Sequence, residues 1–148
     1  MARKYRLGVA RRTVNVLVKA LLARGIPAAG STGFLLTTRG RKSGADRTTP
    51  VNVVEVDGER WLVSPYGRVG WVHNLRAEPT ARLWRGRRRE TWAVEEADAA
   101  TAGPVLRAYV RKIPVTAPFF DAKPGDPAET FAAEADRHPV FRLARSRA

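Results

Sequence analysis

The segment Thr37–Gly44 concentrates residue types that bind anions. It places two glycines, three cationic side chains and a serine within eight residues, and Arg47, Thr48 and Thr49 follow with another charge and two hydroxyls. Glycine lets a backbone turn tightly and approach a ligand, and successive N–H groups in such a turn can form an anion-binding nest. The pattern predicts a phosphate or carboxylate cradle between two strands, and the alternative is an exposed basic hairpin loop.

A second segment, residues 64–74, combines aromatic rings with hydroxyl and amide groups. Such a set suits a planar heterocycle that needs both stacking and hydrogen bonds at its edge. In the alternative interpretation Trp71 is a core residue at a helix start and Asn74 is a cap. The residues concerned are Ser64, Pro65, Tyr66, Gly67, Gly70, Trp71, Val72, His73 and Asn74.

The sequence gives little support for the common sets of catalytic residues. The chain has no cysteine, and its two histidines, His73 and His138, lie far apart without a partner at metal-ligand spacing. A Gly-x-Ser-x-Gly elbow, a Walker loop and a Gly-x-Gly-x-x-Gly fingerprint are all missing from the sequence. We therefore expect a binding site without a metal or an obvious nucleophile.

The charge is strongly asymmetric along the chain. The 148 residues carry a net charge of +13, of which +10 falls in residues 1–47, +3 in residues 48–94 and zero in residues 95–148. A cationic field of this kind attracts anions. Nucleic acid, an anionic membrane and an acidic small molecule are the three candidate partners.

Three regions of secondary structure must position these segments. Residues 7–24 have the apolar spacing of a basic amphipathic helix, which packs on the core, covers a ligand groove or lies on a membrane. Residues 34–95 contain five short β-prone runs, with turns at Asp57-Gly58 and Gly86-Arg87, and residues 71–76 predict a short helix. Closely spaced strands with short turns indicate a small antiparallel barrel or sandwich.

The last third of the chain predicts helices and a final strand. Residues 104–112 have helical spacing, and Asp126-Pro127-Ala128-Glu129 is typical of a capping box that begins a helix running to about Arg137. Residues 139–143 predict a last strand. The apolar segment Pro114–Pro124 must cover either core or ligand.

Two of these segments together resemble the deazaflavin (coenzyme F420)-dependent nitroreductase family. The family pattern is a Thr-Thr-x-Gly-Arg-Lys-Ser/Thr-Gly turn, then Arg and a hydroxyl-Pro strand, then Trp-x-x-Asn-Leu and an Asn- or Glu-Pro step. This chain has Thr37–Gly44, Arg47–Pro50, Trp71–Leu75 and Glu78-Pro79 at the corresponding positions. The similarity runs from about residue 33 to about residue 95.

The resemblance implies a mainly β fold with flanking helices (α+β), a split β-barrel like the FMN-binding split barrel. It implies one domain over 1–148, with an N-terminal basic helix (1–30), a barrel core (31–96), and helices with the last strand (97–148). Coenzyme F420, an 8-hydroxy-5-deazaflavin, would be the cofactor. Its implied binding residues are Arg41, Lys42, Ser43, Arg47, Thr48, Thr49, Pro50, Val51, Asn52, Ser64, Pro65, Tyr66, Gly67, Gly70, Trp71, Val72, His73 and Asn74.

The implied activity is hydride transfer from reduced F420 to a quinone, an activated enone or a nitroaromatic. Tyr66 is the expected proton donor or oxyanion partner. The prototype nitroreductase has tyrosines where this chain has Pro114, Thr116, Phe119 and Phe120, so we expect an apolar lid over a flat hydrophobic acceptor.

The alternative function is a small basic barrel that binds nucleic acid without catalysis, which we favour less. We expect a cytoplasmic protein, with peripheral contact between residues 7–24 and an anionic membrane as one option. A homo-oligomer stays open.

Overall fold

The computed structural model describes residues 9–25 and 32–145. The described strands are β1 Gly33–Arg39, β2 Asp46–Val56, β3 Glu59–Val63, β4 Thr80–Arg85, β5 Arg88–Glu96 and β6 Val140–Arg145. The described helices are α1 Val9–Ala23, α2 Gly70–Ala77, α3 Ala99–Lys112 and α4 Ala128–Ala132, with 3₁₀ turns at Pro114–Phe119 and Ala135–Arg137. The predicted start of the first helix at residue 7 lies outside the described residues.

The six described strands close an antiparallel barrel in the order β1-β2-β3-β6-β5-β4. The closing contact is between β1 and β4, where Leu36 lies opposite Leu83. Closure removes the exposed edges that would otherwise invite aggregation. The predicted mainly β barrel with flanking helices is confirmed, and the late strand β6 joins β3 to β5.

Two predicted hairpin turns form where the sequence places them. Asp57 and Gly58 have φ values of 53° and 79°, as a two-residue turn between twisted strands requires. Gly86 turns between β4 and β5 with φ of 60°. A side chain at Gly86 would meet Gly25 Cα at 2.9 Å, so this turn also fixes where the end of α1 rests on the barrel.

Strand alternation separates two buried apolar clusters. Val53 and its neighbours on the same face pack inside the barrel, where Val72 of α2 joins them. Val54 points the other way and packs under α3, against residues such as Leu106. Because successive side chains in a strand face opposite sides, a single β-hairpin supplies both layers.

Helix α3 begins five residues before the predicted start at residue 104. The Asp98 carboxylate accepts the Thr101 N–H at 2.8 Å and so caps the helix. Pro104 lies inside the helix, where it was expected to mark the beginning. The first turn of α3 is rich in alanine, so the sequence there has no apolar periodicity that would predict a helix.

The prediction of a long helix from Asp126 to Arg137 is wrong. Helix α4 spans only five residues, Ala128–Ala132, and Pro127 precedes it without a side-chain cap. The Asp126 carboxylate accepts the Lys123 N–H at 2.8 Å, and that bond closes the preceding turn. The helix ends because Glu134 turns inward and becomes buried.

The segment Pro114–Pro124 covers the core. Phe119 packs edge-on against Tyr66, with ring centroids 4.9 Å apart, and Phe120 lies near Phe131 at 6.1 Å. Both phenylalanines belong to the cluster under α3 and are at most 9% exposed. The expectation that they form a lid over the ligand is therefore wrong, because they are used to hold α3 and the neighbouring loop together.

Candidate functional site

A cavity of about 700 Å³ opens between β2, the start of α2 and the loop after β3. Fifteen of the eighteen residues predicted above line it. The structure thus brings together segments up to 33 residues apart in sequence, from Arg41 to Asn74. The lining residues of the predicted set are Arg41, Lys42, Ser43, Arg47, Thr48, Thr49, Pro50, Val51, Asn52, Ser64, Pro65, Tyr66, Gly70, Trp71 and Asn74.

Strand β2 forms the long wall of this cavity. All its residues from Asp46 to Asn52 pair with β1, whereas the ladder to β3 covers only Val53–Val56. The part of β2 ahead of Val53 therefore extends past β3. From Arg47 to Asn52 this wall is about 17 Å long, at about 3.4 Å per residue.

Pro50 fits this extended part of β2. The Val53 N–H bonds to Thr32 O, on the β1 side, and backbone direction alternates along a strand. Because of this alternation, the backbone groups of residues 48, 50 and 52 point towards the cavity side. Proline suits position 50 because it has no N–H that would be left unpaired there. The Thr48 and Asn52 amides face the same side.

The turn Gly40–Gly44 forms the cationic end of the cavity. The Gly40 N–H donates to Ala45 O at 2.7 Å and the Gly44 N–H donates to Gly40 O at 2.8 Å. Gly44 has φ of 73°, and a Cβ on Gly40 would lie 2.8 Å from Ala45 O. These N–H groups bond within the turn, so the predicted backbone nest is not formed by them. The exposed side chains of Arg41 and Lys42 and the Ser43 hydroxyl remain as its anion-binding groups.

Asn74 attaches this turn to α2. Its Oδ1 accepts the Arg41 N–H at 3.2 Å and Arg41 Nη1 at 3.1 Å, and its Nδ2 donates to Thr38 Oγ1 at 3.1 Å. Asn74 is buried. The alternative interpretation of Asn74 as a helix cap is wrong, because Val69 caps α2. Asn74 instead holds the guanidinium of Arg41 at the cavity.

The aromatic end of the cavity is built by Tyr66 and Trp71. Trp71 packs against Phe141 of the barrel interior, with ring centroids 5.9 Å apart, and also lines the cavity. Trp71 is half-buried, so it packs on the core and faces the cavity at once, and its role in a binding site stays a prediction. The buried Ser64 hydroxyl donates to Gly67 O and so fixes the loop that carries Tyr66.

Three predicted residues lie away from the cavity lining. Val72 is fully buried inside the barrel, because α2 turns it opposite to Trp71. Gly67 makes the turn below Tyr66 with φ of 94°. His73 follows on the same helix and is half-buried outside the lining.

Sequence reasoning missed Tyr109, which reaches the deep end of the cavity from α3. Its hydroxyl bonds to the Asn52 side chain, and burial raises the pKa of Tyr109 well above the usual value for a phenol. The Asn52 Oδ1 also accepts from Thr32 Oγ1 at 3.0 Å. Its position in a helical stripe marks it as a core residue, and no local signal distinguishes it. The other lining residues that were not predicted are Val18, Thr38, Gly40, Val63 and Val69.

Many arginines of the barrel strands are paired with carboxylates. Arg82 binds Asp46 at 2.6 Å and holds the pKa of that carboxyl below its usual range. Arg60 and Arg88 both contact Glu90, at 2.6 and 3.0 Å. These ion pairs offset part of the positive charge on which a nucleic-acid surface would depend.

Among the described residues, no helix combines the length and the apolar character needed to cross a bilayer.

A small antiparallel barrel thus carries a cavity lined by a cationic turn and by aromatic side chains. Residues 9–118 match the family profile described as F420H(2)-dependent quinone reductase. A search of curated protein sequences finds no match.

Solved structures support the fold. An F420-H2 dependent reductase (FDR-A) is similar over 76% of this chain and 94% of its own, with 24% identity and a TM-score of 0.52. A structure described as a domain-swapped dimer is similar over 90% of this chain and 98% of its own, at 20% identity and a TM-score of 0.55. A NimC/NimA family protein from Clostridium acetobutylicum is similar over 84% of this chain and 79% of its own, at 16% identity and a TM-score of 0.51.

The chain belongs to the F420H(2)-dependent quinone reductase family. It is an F420-dependent reductase, and coenzyme F420 is its cofactor. The resemblance drawn from the turn and the Trp-x-x-Asn segment is confirmed at this level.

Proposed function

We propose that this chain transfers a hydride from reduced coenzyme F420 to a quinone bound in the same cavity. The observation that carries the proposal is the lining of the cavity, which combines the cations Arg41, Lys42 and Arg47 with the rings of Tyr66 and Trp71. Activated enones and nitroaromatics are the other acceptor classes, and both need the same flat apolar space. The family description favours the quinone.

The donor set fits the coenzyme. Its phosphate and acidic tail need cations, which Arg41, Lys42 and Arg47 supply beside the Ser43 hydroxyl. Its ring needs a flat wall, which Tyr66 and Trp71 provide. When bound, the reduced coenzyme supplies the hydride.

The side chains of this protein would bind, orient and keep water out. Asn74 holds Arg41 in place, and the extended part of β2 offers backbone groups to the ring edge. Tyr66 stays our expected proton donor or oxyanion partner, and Tyr109 offers a second hydroxyl at the deep end.

A titration of the purified protein with F420, FMN and NADPH, followed by absorbance, tests the cofactor assignment. We expect saturable binding of F420 and much weaker responses to the other two. Turnover with reduced F420 and a quinone, an enone or a nitroaromatic then ranks the acceptors by kcat/KM. A higher kcat/KM for either of the other classes than for the quinone would overturn the quinone assignment.

We also propose that α1 makes peripheral contact with an anionic membrane, where quinones are dissolved. Val16 and Leu17 are 69% and 60% exposed, and Lys19 lies beside them. Val18 of the same helix lines the cavity, so a lipid-facing α1 would lie next to the acceptor entrance. Co-sedimentation with anionic vesicles should fall in a V16D/L17D variant and stay unchanged if the contact does not exist.

A homodimer is a further proposal, because a similar fold is described as a domain-swapped dimer. If the protein is a dimer, light scattering of the protein as it elutes from a size-exclusion column would show twice the chain mass of 16.3 kDa.

A further inference from the structure

A buried ionisable pair lies directly behind the cavity and has no part in the chemistry above. Glu134 and His138 are 3% and 5% exposed, and His138 Nε2 lies 2.8 Å from Glu134 Oε1. The carboxylate also accepts the backbone N–H groups of Asp121 and Ala122, at 3.1 and 2.8 Å. Phe120 stacks on the imidazole, with ring centroids 3.9 Å apart.

The hydrogen-bond partners fix the protons of this pair. His138 Nδ1 lies 3.0 Å from Pro65 O, and a carbonyl oxygen only accepts, so Nδ1 carries a proton. Nε2 meets a carboxylate oxygen, so one further proton lies between the two groups. Burial lowers the pKa of His138, while Glu134 opposes that effect. The pair therefore holds one shared proton without net charge, in agreement with its burial.

The nearest charged side chains lie on the exposed side of the pair, and the positive charge of Arg137 also lowers the pKa of His138. Arg137 and Asp121 are paired with each other at 2.8 Å on the exposed side. Asp136 is exposed on the same 3₁₀ turn, and the Tyr66 ring of the loop after β3 packs edge-on against Phe119.

The Glu134–His138 pair supports one wall of the cavity. The loop Ser64–Gly70 carries Pro65 and Tyr66, both of which line the cavity. It rests on residues 137–139: the Ser64 N–H donates to Pro139 O at 2.9 Å, and a Cβ on Gly67 would lie 3.6 Å from Arg137 O. The bond from His138 to Pro65 O is the side-chain contact that links this wall to Glu134.

We propose that Glu134 and His138 are positioning residues, which set the Pro65–Tyr66 wall of the cavity through the His138 Nδ1–H bond to Pro65 O. Glu134 acts through His138: it orients the imidazole so that Nδ1 donates to Pro65. This inference rests on the proposed function, because the wall is taken to contact the coenzyme or the acceptor. The proposal gives residues 134–139, none of which lines the cavity, a part in the shape of the cavity.

Two substitutions of His138 separate its two contacts. In H138N the amide reaches the position of Nδ1 and keeps the bond to Pro65 O, but it leaves Glu134 without its partner. In H138Q the amide reaches the position of Nε2 and keeps Glu134 paired, but it loses Pro65. The exposed neighbour Asp136 supplies the control D136N.

The proposal predicts opposite rankings in binding and in stability. F420 affinity, measured by calorimetry, should fall about tenfold in H138Q and less than twofold in H138N. The unfolding temperature should fall further in H138N, because that variant removes the imidazole from a buried carboxylate and leaves it only the two backbone N–H groups. Unchanged affinity in both variants, or affinity that follows the unfolding temperature, would overturn the positioning role.

Hydrogen exchange keeps the test independent of the coenzyme. Amides of residues 64–70 should exchange faster in H138Q than in H138N or D136N, whether or not F420 binds. If the wild-type protein does not bind F420, the proposed function fails while this exchange result still decides the positioning role. If the variants do not fold, NMR of the wild-type imidazole decides: a slowly exchanging Nδ1 proton on His138 supports the proposal, and an unprotonated Nδ1 overturns it.

Discussion

Arg41 and Lys42 are adjacent cations at the cavity, yet the structure gives them different surroundings. Arg41 is held by Asn74 through its backbone and its guanidinium, whereas Lys42 extends its charge at the exposed rim. Lys42→Ala should therefore weaken F420 binding by about tenfold or more, since a charged hydrogen bond contributes about 1.5–3 kcal/mol, and leave the unfolding temperature unchanged. Arg41→Ala should weaken binding and lower the unfolding temperature as well.

Binding constants and melting curves of the two variants check this difference. Lys123→Ala is the matched control, because Lys123 is an exposed lysine outside the cavity. In Arg41→Ala and Lys42→Ala the rate of hydride transfer should fall by a smaller factor than the affinity for F420. A dissociation constant that stays at the wild-type value in both variants would show that the anionic end of the coenzyme lies elsewhere.

Tyr109→Phe removes one hydroxyl and keeps a buried ring. If the Tyr109 proton serves the acceptor, kcat should fall by about a hundredfold, while the F420 dissociation constant stays within about twofold. Burial raises the pKa of Tyr109, so its phenol stays protonated into alkaline solution, and wild-type activity should show no loss from Tyr109 between about pH 6 and pH 9. Steady-state rates of both proteins across that pH range check the prediction, and equal kcat values would contradict it.

At the scale of elements, the contact between α3 and α4 depends on Gly103. A Cβ at this position would lie 2.6 Å from Ala128 O and 3.0 Å from the Ala132 side chain. Alanine favours a helix over glycine by about 1 kcal/mol, but overpacking costs about 1–3 kcal/mol. Gly103→Ala should therefore lower the free energy of unfolding in urea.

Gly125→Ala is the control for Gly103→Ala. A Cβ on Gly125 meets nothing within 4 Å, so its unfolding curve should stay close to wild type. A Gly103→Ala protein as stable as the wild type would show that α4 can move away without cost.

The cap of α3 makes part of the stability depend on pH. The Thr101 N–H bond lowers the pKa of Asp98. A carboxyl with a lower pKa in the folded state contributes stability that is complete above its unfolded pKa and is lost as the pH falls through the folded value. Asp98→Asn keeps a capping oxygen without the charge, so wild type should exceed it in thermal stability near neutral pH, and the gap should close in acid. A gap that does not change with pH would contradict this account of the cap.

The sequence predicts those elements whose signals are local. Asp57-Gly58 is enough to place a hairpin, and the Thr37–Gly44 turn identifies the cationic end of the cavity. Glu134 is different: its carboxylate accepts the backbone N–H groups of Asp121 and Ala122, thirteen and twelve residues earlier, and these bonds end a helix which local spacing would continue. Tyr109 reaches the cavity only because α3 packs across β2 and β3, so its place depends on the assembled fold.

At the scale of the whole molecule, charge pairing decides where the cationic field acts. Arg76 of α2 and the strand arginines Arg82 and Arg142 bind carboxylates on other elements of the fold. The cations beside the cavity lie on an exposed turn instead. We therefore expect the cations of the turn to favour a small anionic ligand at the cavity over a polyanion along the barrel.

Ionic strength separates these two kinds of ligand. A protein that neutralises 6–10 phosphates of a nucleic acid loses about 10³–10⁵ in affinity between 50 and 200 mM salt. In the proposed site F420 would meet the few cations of the Gly40–Gly44 turn and Arg47, and stacking of its ring would be screened little. Its dissociation constant should rise by less than about tenfold over that range. Titrations with F420 and with a DNA duplex at both salt concentrations check the prediction: tight, steeply salt-dependent DNA binding with no saturable F420 binding would favour the nucleic-acid barrel instead.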